Sequence, residues 1–131
     1  MKILDSDHCI AILRGQLNPE GKISPNEELA ITSISVGELS HGAYKSQRAA
    51  ENLARLDVLL AALVILPFDE WTARRFGQIK ARLEQIGERI SDLDLQIASV
   101  AIEHESSLIT HNWGHFARLV DLTGLTVEDW L

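Results

Sequence analysis

At 131 residues with 46% hydrophobic content, the chain is sized for one compact domain over residues 1–131, with a real core and no room for a second domain. Its 12 Lys plus Arg against 19 Asp plus Glu, a formal net charge of -7, exclude broad charge-driven adhesion to duplex nucleic acid, although carboxylates gathered around divalent cations can reverse the field locally. The lone Cys9, an opening from Met1 to Ile12 unlike a signal peptide, and no apolar run beyond Val58 to Leu66 exclude an internal disulfide and membrane insertion and point to a reducing cytoplasm.

Met1 to Leu4 is a short apolar run stopped by Asp5, Ser6 and Asp7, which reads as a strand feeding a helix over about Asp7 to Arg14. Gly15, Asn18, Pro19, Gly21, Ser24, Pro25 and Asn26 then crowd a stretch that only a loop tolerates. Leu29 to Ile34 has strand character, with Ser33 or Ser35 placed to cap a helix over about Val36 to Lys45. Leucines 53, 56, 59, 60 and 63 recur at helical spacing within Arg48 to Leu63, opposite Glu51, Asn52 and Arg55, and predict an amphipathic helix. Val64 to Leu66 is a brief strand ended by Pro67, and Asp69 caps a long helix that runs to Gly87. Asp94 to Glu103 has helical spacing, Leu108 to Thr110 is a strand running into His111 and Asn112, and Leu125 to Val127 is a final edge strand. Strands separated by helices predict an α/β fold: a mainly parallel central sheet of 4–5 strands with helices on both faces.

In such a sheet, ligands gather where strands end and the next helices begin. Asp5 and Thr110 follow strands, Glu38 lies in the first turns after one, and Asp94 opens a helix. Phosphodiester hydrolysis needs an activated water and charge stabilisation on phosphate oxygens, and Mg²⁺ or Mn²⁺ held by a few carboxylates supplies both while leaving coordination positions open. Asp5, Glu38 and Asp94 are the candidate ligands and catalytic groups. Asp7 is a candidate partner behind them, and Ser6 and Thr110 can orient a carboxylate or water through their hydroxyls. Taken singly, Asp5, Asp7 and Asp94 also suit helix N-caps and Glu38 a solvated helical position; their shared location favours the site.

The run Ile3-Leu4-Asp5-Ser6-Asp7 resembles the opening motif of PIN-domain nucleases. Ile34-Ser35-Val36-Gly37-Glu38-Leu39 with His41-Gly42 resembles the second motif, and Asp94-Leu95-Gln96-Ile97-Ala98 the third. Leu108-Ile109-Thr110-His111-Asn112, His115-Phe116 and Leu125-Thr126-Val127-Glu128-Asp129-Trp130 resemble the closing segment of the VapC branch, the toxin subunits of bacterial toxin–antitoxin pairs. The resemblance runs nearly end to end. It implies a three-layer PIN-like domain and a metal-dependent endoribonuclease that leaves a 5′-phosphate and a 3′-hydroxyl. It also implies an antitoxin protein that covers the acidic edge, and a homodimer paired through helices, for which the stripe Leu53 to Leu63 is a candidate face. Many relatives carry a fourth acid where Asn112 or His115 stands. Neither is acidic here, so one firmly held ion is expected, with Asn112 offering a carbonyl oxygen and His115 a ligand better suited to Mn²⁺ than Mg²⁺. A non-catalytic PIN-fold module that binds nucleic acid or protein is the alternative.

Other signals carry less. The five histidines have no zinc-site spacing, although His111 and His115 fall at the active edge. Arg74, Arg75, Lys80 and Arg82 alternate with Glu70 and Glu84 as a solvated face would. Trp71 and Phe76 suit core or dimer packing better than base stacking, and Trp130 is open either way.

Overall fold

The computed structural model describes every residue from Met1 to Leu131. Five strands form one sheet: β1 (Lys2–Leu4), β2 (Leu29–Thr32), β3 (Val64–Leu66), β4 (Ser107–Ile109) and β5 (Val127–Glu128). Their spatial order is β3-β2-β1-β4-β5 and every pairing is parallel. Six helices connect them: α1 (Ser6–Leu13), α2 (Ser33–Tyr44), α3 (Ala49–Ala61), α4 (Glu70–Gln85), α5 (Asp92–Glu103) and α6 (Trp113–Thr123).

Period-two alternation within very short strands builds the three layers. Ile3, Ala30 and Leu108 face one side, where they meet Ile79 and Leu83 of α4, Leu95, Ala98 and Ala101 of α5, and Phe116 and Leu119 of α6. Their neighbours Leu4, Ile31 and Ile109 face the other side and pack against Cys9 of α1, Leu39 of α2 and Leu56 of α3. Residues buried on both faces explain why these strands read as continuous apolar runs. The α/β expectation, with a parallel sheet covered on both faces, is met with five strands.

Several local expectations are corrected. Strand β2 ends at Thr32, and Thr32, not Ser33 or Ser35, caps α2: its hydroxyl accepts from Ser35 N at 3.1 Å. Helix α5 begins at Asp92 under a Ser91 cap, so Asp94 lies inside the first turn with its side chain free of capping duty. The segment after β4, read as a polar tail to that strand, contains α6; Phe116 and Leu119 anchor it, and it stops at Gly124, whose φ of 76° is the left-handed conformation glycine adopts at helix ends. The last strand lies at Val127–Glu128, not Leu125–Val127; Leu125 is instead a core residue. The irregular loop holds one 3-10 turn, Pro19–Lys22.

The stripe on α3 turns mainly inward. Leu56 is buried and the partly buried Leu59, Leu60 and Leu63 pack against the second core, so much of the stripe serves the chain's own core. On α4, Arg74 pairs with Glu70, Arg75 with Glu103 and Lys80 with Asp92, the behaviour of a solvated face. Phe76 packs edge-on against Phe68, whereas Trp71 is exposed under Arg74. No helix is long and apolar enough to cross a membrane.

Candidate active site

Because all five strands run parallel, β1, β2 and β4 deliver their C-terminal ends to a single edge. Asp5 follows β1 directly and is 5% exposed. One carboxylate oxygen accepts from Ser6 N at 2.8 Å, which caps α1, and the other accepts from Thr110 Oγ1 at 2.7 Å across 105 residues of chain. Thr110 follows β4, so a β1–β4 neighbour pair supplies this bond. Ser6 contributes its backbone N–H to Asp5.

Asp7, on the first turn of α1, accepts from His8 Nδ1 at 2.7 Å and His111 N at 3.0 Å, and lies 3.4 Å from Thr110 Oγ1. Asp94 projects from α5, and His115 Nδ1 on α6 lies 2.9 Å from its Oδ2. Asn112 is exposed and donates its backbone N–H to Thr110 Oγ1 at 3.1 Å. Glu38 comes from the second turn of α2, half-buried, and its Oε1 is shielded from solvent with no hydrogen-bond partner.

The acids feel one another. Burial pushes the Asp5 carboxyl above the usual range, the Thr110 hydroxyl pulls it back, and the negative charges of Asp7 and Asp94 push it up again. Burial likewise raises Glu38, with further upward pressure from Asp5, Asp94 and Asp7. Asp7 behaves oppositely: burial pulls it up, but the bonds from His8 and His111 outweigh that and hold it below the usual range. Asp5, Glu38, Asp7 and Asp94 therefore share one electrostatic environment. An orphaned buried carboxylate oxygen beside mutually repelling acids is the donor chemistry a hard divalent ion requires. The side chains do not close into a ready-made cage of three or more His, Cys, Asp or Glu groups.

Two surface grooves flank the acids. One, between α1, α2 and α3, is lined by Glu38 with Ile10, Leu39, Leu56, Arg14 and Arg55. The other is lined by Asp94 and His115 with Arg89, Ser91 and Arg118. Arg118 pairs with Glu88, while Arg14, Arg55 and Arg89 form no ion pair. A chain with net negative charge thus places unpaired cations on both sides of its acids. A further depression, between α4, α5 and α6, contains none of the acids.

Two features escaped the sequence reading. His8 is fully buried although it looks like an ordinary polar residue after Asp7, and Trp113 is 52% exposed at the start of the unassigned helix α6. An apolar pattern at Phe116 and Leu119 with a glycine at 124 was the available signal for that helix.

Comparison with known proteins agrees with this geometry. The PIN domain family model matches residues 2–122. The chain is 32% identical to Ribonuclease VapC2 of Rickettsia felis, over 98% of this chain and 96% of that protein. It is 30% identical to the tRNA(fMet)-specific endonuclease VapC of Shigella flexneri, over 98% and 96%. Its fold superposes with a TM-score of 0.88 on the crystal structure of VapBC2 from Rickettsia felis bound to a promoter DNA fragment, at 30% identity and covering 99% of this chain and 98% of that one.

Proposed function

The chain belongs to the PIN-domain family, in its VapC ribonuclease branch, and from that premise we propose that residues 1–131 act as one divalent-metal-dependent endoribonuclease, the toxin of a toxin–antitoxin pair in the cytoplasm. The observation that carries the metal requirement is the unpartnered Glu38 Oε1, shielded from solvent among the charges of Asp5 and Asp94. Asp5, Glu38 and Asp94 would hold the ion, Mg²⁺ or Mn²⁺. When bound, it supplies Lewis-acid charge for the phosphate and lowers the pKa of water.

The remaining work falls to the chain. Thr110 and Ser6 N–H hold Asp5 in a fixed orientation, and Asp7 anchors Thr110 and the His111 backbone from behind. His115, fixed against Asp94, stands where an imidazole can contact a phosphate oxygen or carry a proton. Arg89 on one flank and Arg14 and Arg55 on the other meet successive RNA phosphates. Hydrolysis leaves a 5′-phosphate and a 3′-hydroxyl.

The antitoxin partner is supported by the VapBC assembly that the fold matches. The apolar groove ending at Glu38 suits an amphipathic segment of such a partner, with a basic side chain reaching the acids. Two copies would pair through helices, with α3 as the candidate element, on which Val58 remains exposed.

The test is expression of the wild type, Asp5→Asn and Asp94→Asn, with growth arrest and RNA cleavage measured in Mg²⁺, Mn²⁺ and EDTA. The wild type arrests growth and cleaves RNA only with metal, and both variants do neither. Equal cleavage by all three, or cleavage that persists in EDTA, would falsify the metal-nuclease reading.

A further inference from the structure

A fully buried imidazole needs partners for both ring nitrogens. His8 has them at opposite ends of the chain. Its Nδ1 lies 2.7 Å from Asp7 Oδ1, and its Nε2 lies 3.0 Å from the backbone N of Trp130, 122 residues away, and 3.4 Å from Asp129 Oδ1, with which it makes no hydrogen bond. A peptide N–H can only donate, so Nε2 accepts. The ring proton therefore sits on Nδ1, where it is donated to Asp7. One bond from the C-terminal tail thus selects the tautomer that reaches the acidic edge.

The tail is fastened for this purpose along its length. Strand β5 pairs with β4, and Thr110 N donates to Glu128 O at 2.9 Å. Lys2 grips both Glu128 oxygens at 2.8 and 2.9 Å and also lies 5.8 Å from the Trp130 ring centre. That ring meets His8 edge-on at 6.2 Å. Asp129 bonds His111 Nδ1 at 2.8 Å, so the residue after Thr110 is tied to the same tail.

We infer that the C-terminal tail is a latch that positions the acidic site through His8: the Trp130 N–H fixes the imidazole, the imidazole orients Asp7, and Asp7 shares the Thr110 hydroxyl with Asp5. His8 is a positioning residue, not a catalytic one. Its consequence for metal binding rests on the reading of Asp5 as a ligand; the latch itself does not.

The test uses the full chain, with nitrogen NMR of the His8 ring and Mn²⁺ affinity by calorimetry. The wild type shows a protonated Nδ1 and an unprotonated Nε2. Trp130→Pro, which deletes the donor, abolishes that pattern and weakens Mn²⁺ binding on the order of 10-fold, the scale for partners behind metal ligands. Trp130→Ala keeps the N–H and the tautomer. His8→Ala weakens Mn²⁺ as Trp130→Pro does, and His8→Asn, whose amide nitrogen overlays Nδ1, restores most of the loss. A wild-type ring protonated on Nε2, or a tautomer unchanged in Trp130→Pro, overturns the latch. If the wild type binds no Mn²⁺, the metal reading fails while the tautomer response to Trp130→Pro still decides the latch.

Discussion

Asp5→Asn is expected to destroy activity and raise stability together. The wild-type carboxylate is 5% exposed and faces the charges of Asp7 and Asp94. Burying such a charge costs several kcal/mol after relaxation. Asparagine removes that cost while its carbonyl still caps Ser6 N. Its amide donates to Thr110 Oγ1, whose own proton turns to Asp7 Oδ2, 3.4 Å away. Two charge-assisted bonds become neutral ones, which takes back roughly 2 kcal/mol. The net gain is about 1–2 kcal/mol, or about 3–8 °C in Tm for a chain of this size. The pH dependence follows from the sign of the shift. A raised folded-state value means that folding favours the protonated acid; this contribution is present below the unfolded value of about 3.9 and is lost as pH rises through the higher folded value. The advantage of Asp5→Asn is therefore small near pH 3.5 and full at pH 7.5. Scanning calorimetry in EDTA at both pH values measures it. Adding Mn²⁺ reverses the ranking, since about 100 Kd of ligand stabilises only the wild type by roughly 2.7 kcal/mol. A variant that melts at or below the wild-type temperature in EDTA at pH 7.5 refutes the reasoning from buried repulsion.

Cys9 is expected to be inert in the folded protein: burial, with the charges of Asp5 and Asp7, pushes its thiol up to about 12. Iodoacetamide at pH 8 should label it only after unfolding in urea, and mass spectrometry reads the difference; rapid native labelling contradicts this. Trp113→Ala is expected to weaken RNA binding on the order of 10-fold, the effect of losing one stacked base, with little change in Tm because the ring is 52% exposed. Fluorescence anisotropy in an Asp94→Asn background, chosen to suppress the expected cleavage, checks it, and unaltered affinity removes Trp113 from the RNA path.

The layers were legible because each strand carries its own alternation: Ile3 and Leu4, Ala30 and Ile31, Leu108 and Ile109 divide between two cores. The juxtaposition of Asp5 with Thr110 followed from strand ends in a parallel sheet, since topology alone places them on one edge. What was not legible depends on side chains that meet across the fold. Nothing adjacent to His8 in sequence reveals that Trp130 N–H waits 122 residues later. Nor does local pattern reveal that His115 of an unassigned helix lies 2.9 Å from Asp94. Ser33 and Ser35 were the expected caps of α2, but the hydroxyl of Thr32 takes the role because the β2 ladder ends there. The α3 stripe illustrates a further limit: a leucine face has the same pattern whether a partner or the chain's own sheet covers it.

The central claim is that Asp5, Glu38 and Asp94 together hold a divalent ion. Anomalous scattering from crystals equilibrated with Mn²⁺ tests it most directly. One peak within bonding distance of carboxylate oxygens from all three residues, including the Glu38 Oε1 that otherwise has no partner, is the predicted result. A peak held elsewhere, or none at saturating Mn²⁺ and neutral pH, contradicts it.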